Sequence, residues 1–245
     1  ALFLLSSLPI IGAQDAEDSY VRAESLVIVV HDNVSHDSAA YTQGLEFHQG
    51  RLFESTGLYG NSTLREVNLS SGSVIRSVDL NASEFGEGMT FVGDEIIQLT
   101  WQEGIAYRYE METFDIVANY TYEGEGWGLA YDGHQLIMSN RTDVLTLRNA
   151  STFEIEGTLN VTLNGEPLTK INEMEIWNGM LLANVYQTEE IVGIDLNSGV
   201  AILHTVASGK ARGCASAKRL IRERSHTDSV GLCPPPGSLV VPLSA

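Results

Sequence analysis

An internal repeat constrains the fold of this 245-residue sequence more than any other feature. Four segments align with one another: QGLEFHQGRLFESTG, EGMTFVGDEIIQLTW, WGLAYDGHQLIMSN and NEMEIWNGMLLANVY. Each reads as a short apolar strand, a turn and a second apolar strand, and further predicted hairpins alternate with them. The turns are centred on glycines that are 43, 40 and 46 residues apart, namely Gly50, Gly93, Gly133 and Gly179.

Four short strands recurring every 40–46 residues are typical of the blade of a β-propeller. We therefore predict an all-β fold, a five-bladed β-propeller formed by residues 25–206. A lone strand at residues 25–33 is expected to complete the last blade, so that no sheet edge stays open. The sequence after residue 206 does not supply the remaining strands of that blade, and we expect the last blade to be incomplete.

Both ends of the sequence differ from the repeats. Residues 1–13, ALFLLSSLPIIGA, resemble the apolar core and cleavage site of a secretory signal peptide, with a buried first strand as the alternative. Residues 207–245 are richer in Lys and Arg, contain both cysteines and a Pro-Pro-Pro run, and follow neither strand nor helix periodicity. We predict that this tail is disordered or is an artefact of the gene model.

The net charge of −18 restricts the partners that the protein can bind. Nucleic-acid binding requires cationic side chains that replace counterions, so nucleic acid is excluded as a partner. The only long apolar run, at the N-terminus, is too short to cross a bilayer. We expect no membrane span in the mature chain.

Glycosylation motifs are unusually frequent. The N-x-S/T motif begins at Asn33, Asn61, Asn68, Asn81, Asn119, Asn140, Asn149 and Asn160. Together with the signal-like N-terminus, they indicate an N-glycosylated protein of the secretory pathway, either secreted or in an endomembrane lumen. We expect it to be a monomer.

The phase of the repeat predicts a site. Equivalent positions of successive blades lie on a ring around the propeller axis, and one such position precedes each turn glycine by six or seven residues. It is occupied by Gln43, Glu87, Trp127 and Asn172. Four different polar or aromatic types at one phase favour a binding site over a purely structural repeat. Trp101 and Tyr186 fall in a second layer, eight and seven residues after their turn glycines.

The sequence resembles the plant and bacterial type of glutaminyl-peptide cyclotransferase, a zinc-independent five-bladed propeller. The matching stretches run in order from Tyr41 to Thr205: YTQGLEF, LFESTGLYGNSTLR, FGEGMTF, QLTWQEG, GEGWGLAYDG and LTKINEMEIW. The resemblance implies an aminoacyltransferase that converts the N-terminal glutamine of peptides or proteins to pyroglutamate and releases ammonia. It implies no cofactor, although it allows a calcium ion on the propeller axis whose ligands the sequence does not identify.

The resemblance also assigns roles to residues. Glu87 matches the catalytic carboxylate, which we expect to act as a general acid and base with a pKa raised by apolar neighbours. Gln43 and Asn172 match polar substrate-binding residues. The aromatic walls of the substrate pocket are assigned to Tyr41, Phe85, Trp101, Trp127 and Tyr186.

Some positions depart from the family pattern or lie outside it. Tyr41 stands where a relative has Phe, and Tyr186 stands where Trp is expected, so the pocket should be more polar there. Three further carboxylates near the motifs, Glu54, Glu103 and Glu125, are interpreted as structural or surface residues.

The six histidines form no ligand set, and neither H-E-x-x-H nor a pair of C-x-x-C motifs occurs. We therefore predict no metal site and reject the mechanism of the zinc-dependent animal cyclotransferases. A second hypothesis is kept because the tail offers no counterpart of a lysine that the family carries in its last blade. In it, the chain is a catalytically inactive, truncated propeller that serves as a protein-binding scaffold.

Overall fold

The computed structural model describes residues 20–25, 34–206 and 238–239. Every regular element in these residues is a β-strand. Within them, no helix is long and apolar enough to cross a membrane. The predicted signal at 1–13, nearly all of the strand predicted at 25–33, and the tail at 207–245 apart from its residues 238–239 lie outside the described residues.

The strands are numbered in chain order. Two short strands precede the repeats: β1 (Glu24–Ser25) and β2 (Val34–Ser35). The first sheet contains β3 (Thr42–His48), β4 (Arg51–Thr56), β5 (Thr63–Val67) and β6 (Val74–Asp79). The second contains β7 (Gly86–Val92), β8 (Glu95–Thr100), β9 (Ile105–Glu110) and β10 (Ile116–Thr121). The third contains β11 (Leu129–Tyr131), β12 (Gln135–Met138), β13 (Val144–Asn149) and β14 (Ile155–Asn160).

The fourth sheet is built around β17 (Ile171–Trp177), β18 (Met180–Val185), β19 (Glu190–Ile194) and β20 (Val200–Val206). A short hairpin, β15 (Thr162–Leu163) and β16 (Glu166–Pro167), extends this sheet, because β15 pairs with β20 in parallel. Strand β1 also pairs with β20 in parallel. The last strand, β21 (Ser238–Leu239), pairs antiparallel with β2.

The repeat predicted from the sequence is confirmed strand by strand in these four sheets. Within each repeat the four strands pair antiparallel in chain order. The hairpin turns lie at the predicted glycines, whose φ angles are positive: Gly50 (76°), Gly93 (63°), Gly133 (95°) and Gly179 (76°). Because a positive φ is costly for residues with a Cβ, the turn position fixes the register of each hairpin.

The hydrophobic core lies between successive sheets. One cluster joins the first two sheets around Phe53 and Met89, both fully buried. A second joins the second and third sheets around Leu99 and Leu136, and a third joins the third and fourth sheets around Ile137. Face-to-face packing of antiparallel four-stranded sheets is the layer arrangement of a propeller-like fold.

The outer strands carry the exposed side of each sheet. After two exposed residues, half-buried residues alternate with exposed ones along β6, β10 and β14. The first strands of neighbouring sheets contact one another, β3 with β7, β7 with β11 and β11 with β17. Residues at the starts of these strands are therefore gathered at one end of the molecule.

Candidate active site

The first strands and their leading residues position the ring that the sequence predicted. Gln43 lies in β3, Glu87 in β7 and Asn172 in β17, while Trp127 lies two residues before β11. Gln43 and Glu87, 44 positions apart in the chain, are brought into direct contact, since the Gln43 amide Nε2 donates to Glu87 Oε1 at 2.9 Å. The predicted convergence of these two residues is confirmed.

Hydrogen bonds made by main-chain groups of the ring residues and their neighbours hold the ring together. The Gly88 amide donates to the Trp127 carbonyl at 2.7 Å, which joins the second sheet to the third. The Ser139 hydroxyl accepts from the Gly128 amide at 2.7 Å and donates to the Asn172 carbonyl at 3.0 Å, which joins the third sheet to the fourth. The spacing between neighbouring ring residues is thus set largely by backbone.

A glycine follows three of the four ring residues, and the close approach of backbones requires it. A Cβ on Gly88 would lie 2.5 Å from the Trp127 carbonyl oxygen, and a Cβ on Gly128 would lie 1.9 Å from that of Asn172. Both distances are shorter than the contacts that Cβ atoms make in real structures. The recurring pairs QG, EG and WG at one phase are the sequence signal for these glycines, which were not among the predicted site residues.

Glu87 is deeply enclosed, with 4% of its surface exposed. Its backbone carbonyl also accepts from the Ser55 hydroxyl of the first sheet, so both its side chain and its main chain are fixed. Burial is the main cause that raises the pKa of the Tyr41 and Tyr59 phenols. The negative charge of Glu87 makes a smaller contribution in the same direction. The carboxylate therefore lies within electrostatic range of the aromatic residues around it.

Aromatic side chains line the site in two groups. In the first, Phe85 packs edge to face with three neighbours, at ring-centroid distances of 6.0 Å to Tyr41, 5.5 Å to Tyr59 and 5.8 Å to Trp101. Edge-to-face aromatic contacts stabilise the folded state by more than the burial of their surface area alone would. Phe85 is the centre of this wall, and Tyr59 is a member that was not among the predicted site residues.

In the second group, Trp127 packs edge to face against Tyr186, with ring centroids 5.2 Å apart. The phenols of Tyr41 and Tyr186 lie close enough to interact electrostatically, which links the two groups, and both tyrosines are more than one-third exposed. Burial, together with Tyr186, raises the pKa of Tyr41. The two residues that depart from the family pattern thus form a polar bridge at the edge of the site.

Two carboxylates interpreted from the sequence as structural or surface residues instead contact the aromatic walls. Glu103 accepts from the Tyr59 hydroxyl at 3.1 Å and from the Phe85 amide at 3.3 Å. Glu125 accepts from the Trp127 indole at 2.9 Å. Neither residue shares the phase of the ring, so the repeat carried no signal for them.

Asn172 takes part in the ring through its backbone. Its carbonyl accepts from Ser139, and the following residue, Glu173, donates its amide to the Asn184 side chain at 2.8 Å. Glu173 Oε1 lies 3.5 Å from the Leu45 amide of the first sheet. Strand β17 of the fourth sheet therefore lies close to strand β3 of the first sheet.

Two carboxylates lie on the first strands three residues further along the chain than the ring residues. Glu46 in β3 and Glu175 in β17 occupy equivalent positions there, each three residues after its ring residue. Burial, followed by the negative charge of Glu175, raises the pKa of Glu46 well above its usual value. A hydrogen bond from the Thr90 side chain only partly offsets this.

No group of three or more His, Cys, Asp or Glu side chains within residues 20–25, 34–206 and 238–239 is arranged to hold a metal ion.

Comparisons with known proteins agree on one family. The model of the glutamine cyclotransferase family matches residues 3–219. A glutaminyl-peptide cyclotransferase of Arabidopsis thaliana is 34% identical over 180 residues, which are 73% of this chain. The chain spans 56% of the length of that relative.

A solved structure gives the same result. The crystal structure of Myxococcus xanthus glutaminyl cyclase superposes with a TM-score of 0.71 at 34% sequence identity, covering 76% of this chain and 79% of that one. This chain belongs to the glutamine cyclotransferase family.

Proposed function

We propose that this protein is a glutaminyl-peptide cyclotransferase, which converts the N-terminal glutamine of a peptide or protein to pyroglutamate. The observation that carries the proposal is the enclosed Glu87 carboxylate, held by Gln43 at 2.9 Å among aromatic side chains. Membership of the family supports the same reaction. Apolar and aromatic walls with a few fixed polar groups are typical of small-molecule and peptide-end sites.

The reaction forms one bond and breaks one. The neutral α-amine of the substrate attacks the carbon of its own side-chain carboxamide, a ring C–N bond forms, and the original C–N bond breaks to release ammonia. With a pKa of about 7.7–8.0 for a free α-amine, a useful fraction is neutral near pH 7. Because attack is intramolecular, an enzyme accelerates it by holding the folded conformer and by moving protons.

Glu87 is proposed to move the proton. Its carboxylate accepts a proton from the attacking amine and transfers it to the departing nitrogen, which leaves as ammonia. General acid and base catalysis of this kind contributes about 10²–10⁴-fold. The Gln43 amide, which donates to Glu87 Oε1, orients the carboxylate for both transfers. No metal ion takes part in this proposed mechanism.

The remaining predicted residues are proposed to bind substrate. Phe85, Trp101 and Trp127 enclose the glutamine side chain and exclude water from it. Tyr41 and Tyr186, at the edge of the site, contact the peptide that follows. Asn172, on the ring beside Trp127, is proposed to bind the carboxamide oxygen, where charge develops during attack.

We further infer that the four described sheets belong to a five-bladed ring whose last blade is incomplete, extending over residues 25–206. The 40–46 residue period and the contacts between successive first strands support this arrangement. The protein is proposed to be a monomer of the secretory pathway. The exposed positions of Asn61, Asn119 and Asn160 are compatible with N-glycosylation there.

The test is ammonia release from a peptide that begins with glutamine, with pyroglutamate detected by mass spectrometry. Glu87→Gln keeps the shape of the side chain, removes the transferable proton, and should lower kcat by about 10²–10⁴-fold. Glu95→Gln is the matched control, because Glu95 lies at the opposite end of the same sheet, paired with Arg108. Unchanged release by Glu87→Gln would overturn the assignment, and an inactive but folded wild-type protein would favour the scaffold hypothesis.

A further inference from the structure

Glu125 lies on the loop between β10 and β11, where it contacts Trp127 and lies near Trp101. The Trp127 indole Nε1 donates to Glu125 Oε2 at 2.9 Å, and Gln102 Nε2 lies 3.4 Å from Glu125 Oε1. The Trp101 indole, next to Gln102 in the chain, also lies close enough to stabilise the negative charge of this carboxylate. One side chain therefore interacts with both indoles, directly with that of Trp127 and electrostatically with that of Trp101.

These two indoles belong to different walls of the site. Trp101 packs on Phe85, which leads to Tyr41 and Tyr59, whereas Trp127 packs on Tyr186. Trp101 directly follows β8 in the second sheet, and Trp127 leads into the third sheet. A group that interacts with both indoles consequently helps to set the distance between the walls.

A carboxylate suits this position because it offers acceptors and no donor. An indole N–H is a donor and never an acceptor, and an ionised carboxylate has about four acceptor sites and no donor. Burial would raise the pKa of Glu125, but hydrogen bonds from Trp127, Trp101 and Gln102 lower it below its usual value. The carboxylate is therefore ionised at neutral pH, and the hydrogen bond that it accepts from the Trp127 indole is charge-assisted.

We propose that Glu125 is a positioning residue that holds the Trp101 and Trp127 indoles at the separation needed to grip the glutamine side chain of the substrate. It acts through the two indoles and transfers no proton. The inference rests on the proposed cyclotransferase function, in which these indoles enclose the substrate. In this arrangement Glu125 contributes to the affinity for substrate, and Glu87 transfers the proton in the chemical step.

The experiment compares steady-state kinetics of wild type, Glu125→Gln and Glu123→Gln. A glutamine turns an N–H group toward one of the two indole donors, so the walls should separate and KM should rise about tenfold, the usual worth of a hydrogen bond to a charged group. The value of kcat should stay within about twofold, because Glu87 is intact. Glu123 is an exposed carboxylate two residues away, and its variant should match wild type.

Tryptophan fluorescence and a double-mutant cycle separate positioning from a general loss of structure. Two of the three tryptophans interact with Glu125, so emission should shift in Glu125→Gln and not in Glu123→Gln. Trp127→Phe removes the indole N–H, so adding Glu125→Gln to it should raise KM by clearly less than tenfold. Glu125→Asp, which restores the charge, should recover part of the affinity if Glu125→Gln folds poorly.

Each outcome decides between the hypotheses. A lower kcat with unchanged KM would make Glu125 a proton-transfer group and overturn the inference, as would additive effects in the cycle or an unaltered emission spectrum. A wild-type protein that folds but releases no ammonia would instead refute the proposed function. The wild-type assay therefore distinguishes the two failures before any variant is compared.

Discussion

The buried carboxylate Glu54 should be a principal determinant of stability in the first sheet. Its side chain is fully buried and accepts from Arg65 Nε at 2.8 Å, from His36 Nε2 at 2.8 Å and from the Thr42 hydroxyl. Arg65 is itself almost buried and has a second partner in Asp37 at 3.2 Å. Replacing Glu54 by Gln removes the charge that these donors surround while keeping the shape of the side chain.

The magnitude follows from burial. Removing one partner of a buried ion pair costs about 3–5 kcal/mol, because the other charge is left without compensation. Gln still offers an oxygen acceptor and Arg65 keeps Asp37, so we expect a loss of about 2–3 kcal/mol, somewhat below that range. For a chain of this size, 1 kcal/mol corresponds to about 2–4 °C in Tm, so Tm should fall by about 4–12 °C.

The pH dependence gives a second, independent check. Burial would raise the pKa of Glu54, but the hydrogen bond and charge of His36 and the charge of Arg65 lower it below its usual 4.5. A lowered pKa in the folded state stabilises the protein above pH 4.5, and this contribution is lost as the pH falls further. The difference in Tm between wild type and Glu54→Gln should therefore be full at pH 7 and shrink below pH 4.5.

The assay is thermal unfolding followed by circular dichroism at several pH values, with Glu112→Gln as control. Glu112 also pairs with an arginine, Arg51 at 2.5 Å, but is 59% exposed, so its loss should cost less than about 1 kcal/mol. A Tm change in Glu54→Gln no larger than that in Glu112→Gln would refute the reasoning. So would a difference from wild type that does not depend on pH.

Two further variants test the inner strands. Glu46→Gln should raise Tm at neutral pH and have little effect at pH 4.5. The reason is that a raised pKa in the folded state makes the wild-type carboxyl increasingly destabilising as the pH rises above 4.5. Equal Tm differences at both pH values would contradict this. Gly128→Ala should cost about 3 kcal/mol or more in chemical denaturation, because its Cβ would meet the Asn172 carbonyl. Gly157→Ala, whose Cβ would only touch Leu147 at 3.6 Å, is its control and should be nearly neutral.

The sequence predicted those parts of the fold that repeat. Turn glycines and alternating strands recur at one period, so the four hairpins and the meeting of Gln43 with Glu87 followed from phase alone. The β15–β16 hairpin and its parallel pairing with β20 were not predicted, because Thr162–Leu163 and Glu166–Pro167 are two-residue strands that carry no periodicity.

Parts of the site that depend on side-chain reach were also missed. Glu103 and Glu125 lie on loops outside the ring phase, and their contacts with Phe85 and Trp127 depend on rotamers and loop geometry. Phase gives the strand position of a residue, and it does not give the direction of a carboxylate on a neighbouring loop. This is why both residues were interpreted as structural or surface residues.

The main-chain contacts of Gly88 and Gly128 have a consequence for how such a site can change over time or by design. They place backbone against backbone between neighbouring sheets, so the anchor points of Glu87, Trp127 and Asn172 are independent of the side chains mounted on them. Substituting one of these side chains should alter the chemistry offered to a ligand without moving the other anchor points. The ring is thus a fixed backbone scaffold whose side chains can be exchanged one position at a time to change specificity.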